Sequence, residues 1–413
     1  MARWSGLERI DRPQGCISLS QSFLPYGRHC IDDEDVAAVD AVLRGDFLTT
    51  GPKVEEFEAQ FARATGAAHA VACSSGTAAL HLSVLAQDIG PGNAAVVPAI
   101  TFLATANVVR MTGAEVVFAD VDPDSGLMKA DVLQAALDRA RARNLKPKLA
   151  LPVHLCGQVC DMAALAEVAE RNDIGLVEDA CHSLGVPDIG ATPHSAAACF
   201  STHPVKAIAT AEGGAVTTND AAAAGRMRRL RNHGMDRSAA DFQNRDLAFE
   251  DNEPNPWYYE MAEVGWNYRL PDVLCALGLS QLKKLDQFWR RRTEIATLYD
   301  QLLAPLAPLV KPVRHDGRKH GWHLYAVLFD FKKLGRSRKY MMEWLRARNI
   351  GTQVHYIPVH RQPYYRRRYG ALDLPGAESY YARCLSLPLF PSMSDADVTR
   401  VAEALAILIE RKA

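Results

Sequence analysis

Short apolar runs alternate with amphipathic segments between Ala68 and Asn219, and this alternation constrains the fold more than any other feature. The runs are "HAVACSS", "NAAVVPA", "AEVVFADV", "KLALPVHL", "IGLVEDA", "AACFS" and "GAVTTN". Helical segments such as "TAALHLSVLAQ" and "DMAALAEVAERN" separate them. Nearly continuous apolar strands with helices between them are typical of a mostly parallel sheet covered on both faces. We therefore predict an α/β fold that binds its ligands at the carboxyl ends of the strands.

The chain of 413 residues is too long for one simple core, so we expect two domains. The polar stretch from Ser238 to Glu260 predicts a long loop or flap, and the apolar spacing from Leu270 to Leu303 predicts one extended helix. Two strand-like pieces, "WHLYAVLFDF" and "TQVHYIPVH", precede a final helix from about Asp395. We predict a large domain at 1–285, with an N-terminal arm, and a small C-terminal α+β domain at 286–413.

Composition excludes several classes of protein. The formal net charge is -1, from 47 basic and 48 acidic residues, so nothing suggests a nucleic-acid partner. No run of about 18 apolar residues predicts a membrane span, and the N-terminus shows no secretory signal. The nine cysteines are scattered through a long chain, which indicates a reducing cytosol and predicts a cytoplasmic protein.

One cluster of potential metal ligands has to be weighed. His154, Cys156, Cys160, Cys181 and His182 could be drawn as a zinc site. Structural zinc motifs usually show tightly paired ligands at both ends, and this cluster does not. Small buried thiols explain the cysteines better, so we predict no metal site. The chain also has no GxGxxG after a strand and no Walker A motif.

A lysine in the segment "CFSTHPVKAIATAEGGAV" carries the chemical argument. Lys206 has small and apolar neighbours, and burial would lower its pKa and make it a neutral nucleophile that forms Schiff bases. Asp179, at the end of "IGLVEDA", could hold a protonated heterocyclic nitrogen. Pyridoxal phosphate needs both groups, a lysine for its aldehyde and an acid opposite its ring nitrogen.

The same cofactor needs a phosphate site and a surface for its ring. The segment "CSSGTAAL" opens a helix after a strand, where free N–H groups favour an anion. Phe102 offers an aromatic face, and His182 could reach the ring hydroxyl. Each residue alone is as well explained by a structural role, whereas their order and spacing are specific. The residues expected to hold the phosphate are Ser75, Gly76, Thr77 and Ser201.

These motifs together resemble the DegT-type sugar aminotransferases, which are fold-type I pyridoxal-phosphate enzymes. The resemblance runs from about Leu24 to the C-terminus and rests on "SSGTAAL", "PAITFLATANVV", "VEDACHSLG", "CFSTHPVK" and "GWNYRLPDVLCALGLSQLKKLD". Within the family, "DFLTTGP", "PWYYEMAEVGWNYRLPDV" and "GTQVHYIPVHRQPYY" are similar to the subgroup of the pseudaminic-acid pathway. That subgroup moves an amino group from L-glutamate to C4 of a UDP-linked 4-keto-6-deoxy-2-acetamido sugar.

The resemblance implies a role for each matching residue. Lys206 would bind the cofactor aldehyde, Asp179 the ring nitrogen, and His182 would lie near the ring hydroxyl, where many relatives have Gln. Asn267 would reach the phosphate of the other subunit's cofactor, since the family forms homodimers with shared active sites. The positions that match the sugar-nucleotide pocket are Tyr26, Phe47, Leu48, Thr49, His355 and Tyr356.

Two departures bear on the substrate, and several alternatives stay open. The segment "VPDIGATPHSAAACFS" is shorter than usual and lacks a Gly-Asp, and the loop "QNRDLAFEDNEPNPWYYE" is variable in the family. The rivals are a C4 aminotransferase for another dTDP-, GDP- or UDP-sugar and a non-enzymatic zinc or scaffold protein. A sugar dehydratase, which carries His at the position of Lys206, is disfavoured. We interpret the arginine runs at 290–292 and 366–368 as solvated faces, with the alternative that the second steers a sugar diphosphate.

Overall fold

A seven-stranded sheet forms the centre of the molecule. The computed structural model describes residues 22–314 and 319–410. The strands lie in the order β1-β7-β6-β5-β4-β2-β3. All seven predicted runs form strands: β1 (His69–Cys73), β2 (Ala94–Pro98), β3 (Glu115–Ala119), β4 (Pro147–Ala150), β5 (Gly175–Asp179), β6 (Ala197–Ser201) and β7 (Gly214–Thr218).

Six of these strands run in one direction. Strands β2 to β6 pair in parallel, while β7 is antiparallel to both of its neighbours, β1 and β6. The mostly parallel sheet predicted from the sequence is therefore confirmed, with β7 as the exception. The six aligned strands bring their carboxyl ends to one edge, which places Asp179 and Ser201, the last residues of β5 and β6, at the same edge of the sheet.

Side chains of the strands enter two different cores, as expected for a sheet covered on both faces. In β6, Ala197 and Cys199 belong to the core around α3 to α6, whereas Ala198 and Phe200 face the core with Phe57. The helices are α1 (Asp33–Leu43), α2 (Pro52–Thr65), α3 (Gly76–Ala86), α4 (Leu103–Met111), α5 (Ala130–Ala142), α6 (Met162–Arg171), α7 (Ala221–Arg231), α8 (Arg245–Ala248), α9 (Asp272–Lys283), α10 (Leu285–Leu303), α11 (Phe331–Leu334), α12 (Arg338–Arg346), α13 (Pro363–Tyr369), α14 (Pro375–Arg383) and α15 (Asp395–Glu410).

The prediction of one extended helix from Leu270 to Leu303 is wrong in one respect, because two helices, α9 and α10, meet at Lys284. The N–H of Lys284 donates to the carbonyl of Gln281, three residues back, instead of four. Its ammonium forms ion pairs with Asp32 and with Asp35, which is buried at the start of α1. The break thus lies where a lysine is drawn toward the carboxylates of another helix.

The polar stretch from Ser238 to Glu260 contains only short elements, as a flap would. They are α8 and the two-residue strands β9 (Phe249–Glu250), β10 (Glu253–Pro254) and β11 (Glu260–Met261), and the strand β8 (Met235–Asp236) lies just before the stretch. Strand β9 pairs with β10, and β8 pairs with β11.

A second sheet lies in the C-terminal part, in the order β12-β13-β14. Its strands are β12 (Val310–Pro312), β13 (Tyr325–Phe329) and β14 (Cys384–Leu387), and they share a core with α10, α12 and α15. The second predicted strand, "TQVHYIPVH", is wrong: only Gln353 bridges to Ser386, and Pro358 has no N–H to continue a ladder. Because Val359, Tyr365 and Tyr380 pack into the core of the large sheet, the division at 285 and 286 stays a prediction. Among the described residues, no helix is long and apolar enough to cross a membrane.

Candidate active site

The predicted cofactor residues converge at the carboxyl edge of the large sheet. Asp179 ends β5 and Ser201 ends β6, while Ser75 follows β1 and precedes α3. Lys206 lies in the turn between β6 and β7, where its main-chain N–H donates to the carbonyl of His203 at 2.8 Å. The alternation of strand and helix, which dominates the sequence, therefore brings Ser75 and Lys206, 131 positions apart, to one edge of the sheet.

The amine of Lys206 lies in a protected environment. The residue is half-buried, and burial lowers the pKa of its amine from the usual value. Cys181, Asp179 and Cys156 lie near enough to oppose that shift electrostatically. A lysine with a lowered pKa is neutral, and so nucleophilic, in a larger fraction of molecules near pH 7.

Asp179 is a buried carboxylate with two protein donors. It is 5% exposed; the Thr105 hydroxyl donates to its Oδ2 at 2.7 Å, and the N–H of Cys181 donates to its Oδ1 at 3.2 Å. Thr105 Oγ1 also lies 2.8 Å from the hydroxyl of Thr101. Since Thr105 gives its only proton to the carboxylate, Thr101 must donate to Thr105, so a two-hydroxyl chain holds Asp179.

His182 is held as a neutral ring of defined tautomer. Burial and the charge of Lys206 place the pKa of His182 well below its usual range. The N–H of Cys156 donates to Nδ1 at 3.2 Å, so the proton of the neutral ring is on Nε2. Nε2 lies 3.2 Å from the hydroxyl of Tyr356 and donates to it, and the ring centroid of His323 is 4.3 Å away.

The start of α3 packs closely against the end of β6. A Cβ added to Gly76 would lie 2.8 Å from the Cβ of Ser201, which is too close for any residue but glycine. The hydroxyl of Ser75 accepts from the N–H of Ala78 as the helix N-cap. The first N–H groups of α3, near Thr77, have no carbonyl one turn earlier and are available to an anion.

Aromatic rings pack around Tyr356, the hydrogen-bond partner of His182. Phe102 is 55% exposed, and its ring centroid is 6.0 Å from that of Tyr356. His355 contacts the Tyr26 ring at 5.5 Å between centroids and shares a 2.8 Å hydrogen bond with Ser386. Burial and the nearby Lys206 lower the pKa of His355 to about 3, so this ring is also neutral.

Four of the predicted residues lie outside this cluster. Phe47, Leu48 and Thr49 form an exposed turn between α1 and α2, and Asn267 is exposed beside Asn232. Within residues 22–314 and 319–410, no hydrogen bond or ring contact joins these four residues to the group around Lys206.

Sequence reasoning missed four residues of the site, namely Thr105, His323, Cys156 and Arg292. Thr105 lies within the quoted "TFLATAN", three residues after Phe102, but nothing in the letters indicates that its hydroxyl reaches β5. Arg292 was predicted to be solvated with the rest of its run; this is wrong, because the residue is only 2% exposed.

The second arginine run, at 366–368, lies near the edge of the sheet where strand β3 begins, not at the edge that carries the candidate site. Arg368 forms an ion pair with Glu115, which begins β3, whereas the candidate site lies at the carboxyl ends of the strands. This placement disfavours the alternative that residues 366–368 steer a substrate.

No group of His, Cys, Asp or Glu in the described residues is arranged to hold a metal ion. His154, drawn in the zinc cluster, instead contacts Glu178 at 2.8 Å through Nε2.

Comparisons with known proteins match nearly the whole chain. It is 41% identical over 395 residues to the spore coat polysaccharide biosynthesis protein SpsC of Bacillus subtilis (strain 168), covering 94% of this chain and 97% of that protein. The structure resembles Helicobacter pylori PseC, an aminotransferase of pseudaminic acid biosynthesis, with a TM-score of 0.82 and 29% identity over 94% of this chain and all of that one.

A second similar structure carries information on a cofactor. Spr1654 of Streptococcus pneumoniae has been solved in a PLP-form and a PMP-form. The PLP-form superimposes with a TM-score of 0.82 at 26% identity, over 95% of this chain and 100% of that one. The model of the DegT/DnrJ/EryC1/StrS aminotransferase family matches residues 29–406. The chain therefore belongs to the DegT/DnrJ/EryC1/StrS aminotransferase family.

Proposed function

We propose that this chain is a pyridoxal-phosphate-dependent aminotransferase that moves an amino group from L-glutamate to C4 of a UDP-linked 4-keto-6-deoxy-2-acetamido sugar. The observation that carries the proposal is the convergence of Lys206, Asp179 and His182 at one edge of the sheet. The substrate rests on the resemblance to the pseudaminic-acid subgroup.

The residues fit pyridoxal phosphate at each of its polar groups. Lys206 offers a half-buried amine with a lowered pKa for the aldehyde. Asp179 offers a buried carboxylate for the ring nitrogen, and the free N–H groups at the start of α3, beside Ser201, would hold the phosphate. His182, whose Nε2 proton is bound by Tyr356, would lie near the ring hydroxyl. When bound, the cofactor supplies an electrophilic carbon that carries the amino group and a ring that withdraws electrons.

The protein's own groups would then manage protons and position. Lys206 Nζ would hold and move the proton at the reacting carbon. Asp179, held in place by the Thr105 hydroxyl, would accept a hydrogen bond from the ring nitrogen. Tyr26, His355 and Tyr356 would pack on the sugar nucleotide, since neutral rings bind a sugar without adding charge.

A homodimer with shared sites is part of the proposal. Asn267 is exposed and outside the cluster, as a residue that serves a neighbouring copy would be. Nearby side chains are unusually exposed for their size: Trp257 is 69%, Met261 61% and Val264 71% exposed. Such apolar surface indicates an interface. Phe47, Leu48 and Thr49 would complete the sugar pocket from the surface turn. The eight cysteines of the described part are free thiols, which agrees with the proposed cytoplasmic location.

A second candidate differs only in the sugar. The relative with 41% identity is named for spore coat polysaccharide biosynthesis, not for pseudaminic acid. A C4 aminotransferase for another dTDP-, GDP- or UDP-4-keto sugar is therefore the alternative.

A panel of 4-keto nucleotide sugars with glutamate as amino donor tests both candidates. We expect the UDP-4-keto-6-deoxy-L-arabino sugar to be aminated much faster than the dTDP-4-keto-6-deoxyglucose sugar, with products identified by mass spectrometry. If the two sugars were aminated equally fast, or the dTDP-sugar faster, the alternative C4 aminotransferase would be favoured. The Lys206→Ala chain is the control, and it should aminate neither sugar. Wild-type protein that binds no pyridoxal phosphate would overturn the reaction class itself.

A further inference from the structure

Arg292 is a buried cation without a carboxylate partner. It lies in the middle of α10 and is 2% exposed, whereas its neighbour Arg290 is exposed. Within the described ranges no Asp or Glu forms an ion pair with its guanidinium, and burial alone lowers its pKa, to about 10. A buried charge is costly unless polar groups compensate it, so the local chain has to supply those groups.

The compensation comes from main-chain carbonyls of three separate segments. Nη1 of Arg292 donates to the carbonyls of Trp322 at 3.1 Å, His323 at 3.2 Å and Leu389 at 3.1 Å. Nη2 donates to the carbonyl of Lys206 at 3.4 Å. The planar guanidinium fork, with its fixed set of donors, can hold several carbonyls at once.

Two of these segments carry side chains of the candidate site. The carbonyl of Lys206 belongs to the residue whose amine is the proposed nucleophile. The carbonyl of His323 belongs to a ring that packs 4.3 Å from His182. The third, at Leu389, is part of the C-terminal core. The side chain of Arg292 in α10 therefore links the main chain at Leu389 to that of Lys206 and to that of His323, whose ring packs on His182.

We propose that Arg292 is a positioning residue, which holds the main chain of Lys206 so that the amine meets the cofactor aldehyde in the required orientation. This inference rests on the proposed function of Lys206. Arg292 touches neither the cofactor nor the substrate in this account. Its effect passes through the Nη2 bond to Lys206 and, through Nη1, the segment of His323.

The two arms of the guanidinium allow the positioning of Lys206 to be tested apart from the stability of the fold. A lysine at position 292 would keep the charge and, with three donors, could still serve the three carbonyls now bound by Nη1. It lacks the second arm of the fork, which alone reaches the carbonyl of Lys206. Arg292→Lys should therefore spare the fold and loosen Lys206, while Arg292→Met should harm both.

The test measures how fast Lys206 captures pyridoxal phosphate in full-length chains freed of cofactor, followed by visible absorbance. Melting temperatures of the same chains report stability. A 3.4 Å bond lies at the weak end for a charged donor, so we expect about tenfold slower capture by Arg292→Lys, with a melting temperature near that of wild type. Arg291→Met is the matched control: it breaks surface ion pairs to Glu294 and Asp395 and should capture the cofactor at the wild-type rate.

Capture by Arg292→Lys at the wild-type rate would overturn the inference and leave Arg292 a stabilising residue only. If Arg292→Met fails to fold, Arg292→Lys still decides. Labelling of Lys206 by acetic anhydride, read by peptide mass spectrometry without cofactor, gives a second measure. Its rate should change in Arg292→Lys and not in Arg291→Met. If wild type captured no pyridoxal phosphate, the proposed function would fail, while an unchanged labelling rate would separately refute the role of Arg292.

Discussion

Replacing Thr105 by valine removes a hydroxyl and leaves the shape of the side chain. Thr105 is fully buried, and its 2.7 Å bond to Asp179 is the shorter of the two protein bonds to that carboxylate. A hydrogen bond to a charged group contributes about 1.5–3 kcal/mol, and the loss leaves a buried carboxylate oxygen with one donor fewer. Thr101 also loses its acceptor. We expect Thr105→Val to melt at a lower temperature than wild type.

The same loss should appear in catalysis, because the bond fixes where the carboxylate faces the ring nitrogen. If the whole contribution acted on the barrier, kcat/KM would fall by roughly 10- to 150-fold. Steady-state kinetics with the best sugar of the panel and glutamate measure this. Thr105→Ser keeps the hydroxyl and is the matched control, expected within a few-fold of wild type. A Thr105→Val enzyme with the kcat/KM of wild type would refute the reasoning that Asp179 acts in the position this bond gives it.

Three further predictions concern the same site. Asp179→Asn should retain cofactor but turn over about 10²–10⁴-fold more slowly, since breaking a buried charged pair costs roughly 3–5 kcal/mol; an unchanged kcat would mean that another acid faces the ring. Tyr356→Phe deletes the acceptor of the His182 Nε2–H, a neutral bond contributing about 0.5–1.5 kcal/mol, so kcat/KM should fall only about 2- to 10-fold; a loss as large as that of Asp179→Asn would give Tyr356 a chemical role. Mixing inactive Lys206→Ala and Asn267→Ala chains under subunit exchange should restore activity, because one site of each mixed dimer carries neither change; mixed dimers that stay inactive would exclude sharing through Asn267.

The sequence was most informative where an apolar run predicts a strand and a polar residue stands at the end of that run. Seven apolar runs predicted seven strands, and residues at the ends of those strands, such as Asp179 and Ser201, lie at one edge because parallel strands end together. Gly76 could be singled out because a helix that opens after a strand requires a close approach there. These inferences use the pattern of apolar and polar residues over short segments, which is visible in the sequence itself.

What could not be predicted depends on contacts between distant segments. Thr105 reaches Asp179 across 74 positions, and Arg292 reaches Lys206 across 86. A run of three arginines is usually solvated, and only the packing of α10 shows that one of them is buried. The break at Lys284 likewise lies beside carboxylates at the start of α1, some 250 positions away. Nothing in local spacing encodes such tertiary partners.

The proposed attachment of pyridoxal phosphate to the amine of Lys206 can be trapped chemically. The full-length protein is incubated with the cofactor, reduced with borohydride to make the link between lysine and cofactor permanent, digested, and mapped by mass spectrometry. We expect a cofactor adduct on the peptide that contains Lys206, and none on that peptide in the Lys206→Ala chain. An adduct confined to a different lysine, or no adduct in the wild-type chain, would contradict it.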